Sequence, residues 1–274
     1  MNQIEEFRRQ SPPPLAPRPL NLPTPQETTL DNGLRVVIVE DSRLPLVSFR
    51  LAVRAGNSHD PQHLPGLSDV LATMLTEGTE SLTSRELADE VARLGATLAA
   101  GSSSDYSTIA ASSLASYSDR VLELLAEVAL RPIFPPHELE IVRQNAEQSL
   151  IAQRGQPSFL ANERVSQVLF GAHPYSVVAP TPASLAAIDS ATLAEFHRQK
   201  FVPGAAVLFV VGDVERDAVL ERVNTLFGAW AGGLPPAEEF PAPPARAGRV
   251  AYIVDRPNSA QSNIVIANLG VTRT

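Results

Sequence analysis

The chain of 274 residues is long enough for one large domain or for one and a half ordinary ones. Apolar residues make up 44% of it and charged residues 19%, which predicts a folded chain with a sizeable buried core. The formal net charge of −8 and the lack of a basic stripe argue against a nucleic-acid partner. The absence of cysteine excludes disulfides, thiolate metal sites and cysteine nucleophiles.

The N-terminal segment carries no targeting pattern and is rich in proline. Residues 1–10 (MNQIEEFRRQ) lack the basic start and apolar run of a secretory signal, and no run of about 18 apolar residues predicts a membrane span. We therefore expect a cytoplasmic protein, or a periplasmic one if a leader has been removed. Residues 11–25 (SPPPLAPRPLNLPTP) predict an extended arm over residues 1–25, with a polyproline II ligand for a partner as the alternative.

Strand and helix patterns interleave over residues 26–230 without a strict βαβ order, which predicts one α+β domain. The turn signal Asp31-Asn32-Gly33 predicts a hairpin leading into the first long strand. Strands are predicted at residues 34–39, 46–53 and 206–211, with two more between 96 and 116. Helices are predicted at residues 63–77, 84–94, 118–130, 136–154, 157–170, 191–200 and 213–227, with residues 171–189 irregular. We expect Thr83 or Ser84 to begin the second helix, Gly95 to end it, and Ser190 to cap the helix at 191–200.

Residues 231–248 are rich in proline, alanine and glycine, as linkers are. After this linker, apolar runs predict strands at residues 250–254 and 262–269. Two strands cannot enclose a core, so residues 249–274 are predicted to be the first strands of a second, truncated domain.

Short motifs follow one another in a recognisable order along the chain. Residues 30–36 read LDNGLRV and residues 53–60 read VRAGNSHD. Further motifs are Gly66-Leu67, Met74-Leu75, Gly78-Thr79, Gly95-Ala96, Asp105-Tyr106, Arg131-Pro132, Phe170-Gly171, His173-Pro174-Tyr175, Val211-Gly212-Asp213 and Asp255-Arg256-Pro257. Together they resemble the N-terminal half of the insulinase, pitrilysin and mitochondrial-processing-peptidase family, whose active members are inverted-zincin metallopeptidases.

This resemblance implies a processing-peptidase-like domain with an antiparallel-rich sheet and helices packed on one face. It also implies a clamshell chamber made from two halves. The family's zinc motif, H-x-x-E-H, lies on the first helix. Its two histidines share one helix face and bind the metal, and its glutamate acts as general base.

In this chain the zinc motif is degenerate. Counting back from Gly78-Thr79, the two histidine positions are Asp69 and Thr73, and the glutamate position is Ala72. Flanking family matches place the third ligand, a glutamate on a later helix, at Ser149. We therefore predict no metal site, no catalytic residue and no cofactor, although zinc is expected in the family.

Other ligands do not replace the missing ones. Glu147 is the acidic residue nearest to Ser149, but two residues turn a helix by about 200°, so it points elsewhere. The remaining oxygens are too few for a hard cation, which needs about six, and a polar cluster is the preferred interpretation. His59 and His63 are four apart, but Pro61 lies between them, so we interpret them as loop residues. His173-Pro174-Tyr175 is either the family's loop near the substrate or a packed turn.

The strand after Gly95-Ala96 is the other candidate site. In the family this edge strand accepts an extended peptide by β-addition, which uses main-chain hydrogen bonds and survives the loss of catalytic side chains. Here it comprises Thr97, Leu98, Ala99, Ala100, Gly101 and Ser102. The alternative is that its small side chains only pack under a neighbouring helix.

The resulting hypothesis is a non-catalytic subunit that contributes chamber wall and peptide contacts to a zinc-bearing paralogue. The expected partners are that paralogue, or a second copy in isolation, and a peptide or unfolded polypeptide. A weak zinc metalloendopeptidase with displaced ligands and a purely structural scaffold are the alternatives.

Overall fold

The structure is a computed structural model that describes residues 15, 23–233, 235–236, 238–245, 248–255, 257–258 and 260–271. The predicted proline-rich arm lies outside the described residues, apart from Leu15 and residues 23–25.

A six-stranded sheet organises the domain, with its strands in the order β1-β2-β6-β3-β5-β4. The strands are β1 Gln26–Thr29, β2 Arg35–Glu40, β3 Leu46–Val53, β4 Thr97–Ser102, β5 Ser107–Leu114 and β6 Ala206–Gly212. Neighbouring strands are antiparallel, except that β2 and β6 are parallel. The predicted hairpin at Asp31-Asn32-Gly33 joins β1 to β2, and β6 enters the middle of the sheet from far along the chain.

Helices supply the second layer of the domain. They are α1 Leu67–Met74, α2 Ser84–Arg93, α3 Ser118–Leu130, α4 Pro136–Arg154, α5 Pro157–Phe170, α6 Pro182–Ala187, α7 Ser190–Lys200 and α8 Arg216–Phe227. Buried side chains of these helices and of the strands form one apolar cluster. The prediction of an α+β domain with an antiparallel-rich sheet and helices on one face is confirmed.

Side chains alternate along the central strands because only one sheet face is covered. In β6, Leu208 and Val210 are fully buried, whereas Phe209 and Val211 on the other face are partly exposed. Leu46 and Leu114, opposite each other on β3 and β5, are also exposed. We call this second, uncovered face the open face.

Some element boundaries differ from the sequence-based prediction. Helix α1 begins only at Leu67, because Gly66 before it has a positive φ of 91°. Helix α7 is capped by Asp189, whose side chain accepts from the Thr192 N–H at 2.8 Å, so the prediction that Ser190 caps it is wrong. The Ser190 hydroxyl donates instead to the carbonyl of Phe134 at 2.6 Å.

The predicted bounds of two further segments, 171–189 and 213–227, also need correction. The segment predicted as irregular contains the short helix α6, which Thr181 begins with a capping box to Ser184. Helix α8 begins at Arg216 rather than at 213, because the Asp213 N–H still donates to the Leu46 carbonyl at 2.8 Å. Thr83 caps α2 as predicted, and Gly95 follows the helix with a φ of 58°.

The described residues after the linker form no strand, so the strands predicted at 250–254 and 262–269 are not formed. A strand requires a neighbour to share its backbone hydrogen bonds, and the described sheet provides none here. Large apolar side chains in these segments are exposed, with Ile253 at 92% and Ile266 at 95%. That the segment begins a second domain remains a prediction.

Within the described part of the chain, no helix combines the length and the apolar character that crossing a bilayer requires.

The one-sided core predicts different costs for truncating neighbouring valines of β6. Val210 is fully buried and Val211 is 42% exposed on the open face. We expect Val210→Ala to lower the unfolding free energy by about 2 to 3 kcal/mol, through lost burial and the cavity it leaves. Val211→Ala is the matched control and should cost less than about 1 kcal/mol. Urea denaturation measures both, and equal losses would contradict a sheet covered on one face.

Candidate functional site

The turn after β3 is docked onto the hairpin between β4 and β5. The Asn57 N–H donates to the Ser103 carbonyl at 2.9 Å, and the Ser58 N–H donates to the Ser104 carbonyl at 2.8 Å. Gly56 permits this approach, since a Cβ atom there would lie 2.3 Å from the Ser103 carbonyl oxygen. The glycine of the VRAGNSHD motif therefore permits a close contact between the turn after β3 and the β4–β5 hairpin at one end of the sheet.

Asp60 holds the N-terminus of α1. Its Oδ2 accepts from the Gly66 N–H at 2.8 Å, and its Oδ1 accepts from the Ser68 N–H at 2.9 Å and from the Ser68 hydroxyl at 2.5 Å. These bonds satisfy amides that the helix itself leaves unpaired. Burial of the carboxyl nevertheless raises the pKa of Asp60 to about 6, because desolvation outweighs the hydrogen bonds.

The segment His173-Pro174-Tyr175 is a packed turn that supports the same region. The Tyr175 hydroxyl donates to Asp105 Oδ1 at 2.6 Å, which raises the pKa of Tyr175 to about 12. The His173 ring contacts those of Tyr175 and Phe240. Since Asp105 belongs to the β4–β5 hairpin, this turn holds the hairpin together with the turn at Asn57.

The exposed face of α1 carries two of the predicted degenerate positions. Asp69 is exposed and its Oδ2 accepts from Asn57 Nδ2 at 2.7 Å. The Thr73 hydroxyl, one helical turn later, donates back to the Asp69 carbonyl at 3.0 Å. Ala72, between them in sequence, is buried. Ser149 lies on α4, which packs against α1, and its hydroxyl accepts from Gln153 Nε2 at 3.3 Å.

These side chains do not fit the zinc ion that the family's motif would hold. Zinc in proteins is bound by histidine, cysteine, aspartate or glutamate side chains. Of the four positions, only Asp69 offers such a group, Ala72 offers none, and Thr73 and Ser149 carry neutral hydroxyls. Among the described residues, no group of three or more histidine, aspartate or glutamate side chains is arranged to hold a metal.

Strand β4 lies at the edge of the sheet with unpaired backbone groups facing outward. The Ser103 N–H donates to the Tyr106 carbonyl at 2.9 Å, so these residues are a hydrogen-bonded pair at the start of the β4–β5 ladder. Such pairs alternate along an antiparallel ladder. With the observed register, the N–H and C=O groups of Leu98, Ala100 and Ser102 therefore point away from β5. No partner for them occurs among the described hydrogen bonds.

The side chains of β4 divide between the two faces of the sheet. Leu98 and Ala100 are half-buried against the apolar core, and helix α1 packs on this side. Thr97, Ala99 and Gly101 are exposed, and a Cβ atom added at Gly101 would meet no atom within 4 Å. Packing under a helix thus involves only every second residue, and the outer edge stays free.

Three polar residues around α1 and the sheet edge, Asn57, Asp60 and Asp105, have no role in the sequence-based prediction. Asn57 bridges the two elements, since its Nδ2 donates to Asp69 and its Oδ1 accepts from the Ser102 hydroxyl at 3.3 Å. Asp60 and Asp105 hold the neighbouring loops. Asn57 and Asp60 are letters of the VRAGNSHD motif, but only the folded loops show what they contact.

Two family models match this chain. The model for "Insulinase (Peptidase family M16)" covers residues 35–179, and the model for "Peptidase M16 inactive domain" covers residues 187–274. The chain belongs to the insulinase family, peptidase family M16. The resemblance carried by the sequence motifs is confirmed. The second match begins before β6, which lies in the middle of the described sheet.

Similar proteins carry contrasting names. The "Uncharacterized zinc protease YmxG" of Bacillus subtilis is 23% identical over 74% of this chain and 49% of its own length. The "Non-peptidase homolog YmxG" of Helicobacter pylori is 27% identical over 69% of this chain and 44% of its own length. The chain thus spans about half the length of the curated relatives it matches, and family membership alone does not decide whether a member cleaves peptides.

Solved structures show the same fold. The "peptidase M16 inactive domain" from Pseudomonas fluorescens superposes with a TM-score of 0.75 at 28% identity, over 81% of this chain and 54% of that one. The "periplasmic protease PqqL" from Escherichia coli superposes with a TM-score of 0.73 at 16% identity, over 80% of this chain and 25% of that one. The second likeness shows the fold alone.

The raised pKa of Asp60 predicts a pH dependence of stability. Folding raises this pKa from 3.8 to about 6, so the folded state holds the proton more tightly than the unfolded state. The resulting stabilisation is complete below about pH 4 and is lost as the pH rises through about 6. Asp60→Asn lacks this contribution. We expect the wild type's advantage over the variant in unfolding free energy to shrink by on the order of 2 kcal/mol between pH 4 and pH 7.

Urea denaturation of both proteins at the two pH values measures this change. An advantage that grows with pH would contradict it, and would mean that the helix amides stabilise the carboxylate more than burial destabilises it.

Proposed function

We propose that this chain is a non-catalytic subunit of an insulinase-family complex, which contributes chamber wall and peptide contacts to a zinc-bearing paralogue. The observation that carries the proposal is the donor set on the exposed face of α1. Asp69 and Thr73 stand at the predicted histidine positions, and the buried methyl of Ala72 stands at that of the general base. A methyl group can neither accept a proton from water nor bind a metal.

The support of α1 favours a retained binding role. Asp60 still holds the first turn of the helix, and Asn57 still connects its exposed face to β4. A helix that had lost every role at this surface would not require these polar contacts. We infer that the loss of ligands is confined to these positions.

A peptide role is supported by the free edge of β4. An extended chain added there would bond to the outward groups of Leu98, Ala100 and Ser102, and small exposed side chains leave space on the open face. Because this mode of binding uses the backbone, it does not depend on the residues of α1.

The partner is proposed from the names of relatives. The "Probable mitochondrial-processing peptidase subunit beta, mitochondrial" of Arabidopsis thaliana is 24% identical over 76% of this chain and 39% of its own length. Its name describes one subunit of a larger enzyme, and the Helicobacter pylori relative is named a non-peptidase. A paralogue with intact ligands would complete such a pair, and a second copy of this chain is the alternative partner.

Metal analysis tests the non-catalytic assignment. After equilibration with excess zinc and exhaustive dialysis, we expect a zinc-to-chain ratio near zero for this chain alone. Co-expression with a paralogue that carries H-x-x-E-H should yield a complex with about one zinc per pair, held by the paralogue. The triple variant Asp69→His, Thr73→His, Ser149→Glu is the matched control, and it should bind about one zinc if these are the ligand positions.

A ratio near one for the unaltered chain would overturn the assignment and would favour the weak zinc peptidase. If the chain holds no zinc and also never co-purifies with the paralogue, the paralogue is not its partner. A triple variant that binds no zinc while remaining folded would show that the ligand positions lie elsewhere.

Peptide binding along β4 is tested by proline at a residue whose N–H faces outward. Ala100→Pro removes an outward donor without removing a bond to β5, so we expect an unchanged melting temperature and about 5-fold weaker binding of a labelled extended peptide. Fluorescence anisotropy measures the affinity.

Peptides N-methylated at alternate residues supply the internal control for this test. One alternate set should abolish binding and the other should not, because only every second N–H of an added strand faces β4. Equal binding of both sets would rule out β-addition and leave the scaffold as the better description.

A further inference from the structure

Part of the linker after α8 is docked onto the domain by contacts near both of its ends. The Glu238 carboxylate forms an ion pair with Lys200, the last residue of α7. Pro244 packs on Gly171, directly after α5, where an added Cβ atom would lie 3.1 Å from the proline Cδ atom. We call residues 238–245 the strap, because these contacts hold them against the domain.

Phe240 is the aromatic residue of the strap, and it contacts two turns at once. Its half-buried ring meets the rings of His59 and His173 edge to face, with centroid distances of 5.9 Å and 5.5 Å. Aromatic rings in this arrangement attract each other beyond the effect of burial alone. His59 ends the short 3-10 turn Asn57–His59, and His173 begins the packed turn described above. One side chain of the strap thus joins these two turns.

Both turns hold the loop that connects β4 to β5. The first turn donates two backbone N–H groups to the carbonyls of Ser103 and Ser104, at 2.9 Å and 2.8 Å. In the second turn, the ring of Tyr175 lies 4.5 Å from that of His173, and its hydroxyl donates to Asp105 Oδ1 at 2.6 Å. Two continuous series of contacts therefore run from the strap to the same hairpin.

We propose that the strap is a conformational device, in which Phe240 couples the position of the linker to the order of the β4–β5 hairpin. While Phe240 is docked, it stabilises both turns against the hairpin loop. When the strap moves away, the turns lose their shared contact and the hairpin opens more often. A displacement of the chain after residue 245 thereby reaches the edge of the sheet. This inference does not require a peptide to bind along β4.

Hydrogen exchange of the full chain tests the effect of the strap on the hairpin. Phe240→Ala removes the ring and leaves the hairpin and both turns unaltered in sequence. We expect the amides of Asn57, Ser58 and Ser103, which donate the hydrogen bonds at these contacts, to exchange about 10-fold faster. Glu239→Ala, at the exposed neighbouring position, is the matched control and should leave these exchange rates unchanged.

Cleavage of the strap tests the effect in the opposite direction, because coupling between two sites is reciprocal. Tyr175→Phe removes the hydroxyl that bonds to Asp105 and leaves the strap unaltered in sequence. We expect a glutamate-specific protease to cleave after Glu238 and Glu239 about 3-fold faster in this variant. Tyr117→Phe, at an exposed tyrosine after β5, is the control for loss of a hydroxyl and should change nothing.

Three results would overturn the inference. The first is unchanged exchange of the three amides in Phe240→Ala. The second is an equal rise in exchange along β1 and β2, since this would indicate a general loss of stability rather than a local coupling. The third is unchanged strap cleavage in Tyr175→Phe, which would contradict reciprocity. Thermal denaturation checks that both variants are folded, and no peptide is present, so the outcome is separate from that of the proposed function.

Discussion

The pairing of β6 with both β2 and β3 is the constraint on which the rest of the domain depends. The hairpin of β1 and β2 comes early in the chain, yet it joins the remaining strands only through β6. β6 also fixes both ends of β3, through the Arg54 N–H to the Ala205 carbonyl at 3.0 Å and the Asp213 N–H to the Leu46 carbonyl at 2.8 Å. The turn that carries Asn57 and Asp60 starts from the end of β3, so its position is set by that pairing.

The arrangement of α1 beside β4 depends on two supports that are independent of zinc chemistry. One side of α1 is anchored in the core through Leu67, Leu71 and Met74, and its first turn is held by Asp60. The other support is the β4–β5 hairpin, which the turns at Asn57 and Tyr175 hold through hydrogen bonds to Ser103, Ser104 and Asp105. Substitution on the exposed face of α1 therefore changes the chemistry of that face without removing either support.

This separation explains how one fold serves relatives that are named zinc proteases and one that is named a non-peptidase. Metal chemistry needs specific donors at three or four positions, and the loss of any one removes it. Recognition of an extended backbone needs only a free strand edge. A member that loses its ligands can thus keep a binding role.

The sequence by itself determined the α+β class, most helices and strands, and the chemical character of α1. Apolar spacing fixes these elements because burial of one face follows local periodicity, and the residue types at 69, 72 and 73 decide which donors exist. The boundaries were harder to predict. Asp189 rather than Ser190 caps α7 because the Ser190 hydroxyl bonds to Phe134, more than fifty positions away.

Only the tertiary structure decided where β6 lies, which backbone groups of β4 face outward, and what Asn57 and Asp60 contact. Strand order depends on pairing between distant segments, and the outward groups depend on the register of β4 with β5. The predicted strands after residue 249 are absent from the described residues for the same reason. A strand pattern shows that a segment tends to be extended. The hydrogen bonds of a strand, however, require a neighbouring strand that sequence spacing does not specify.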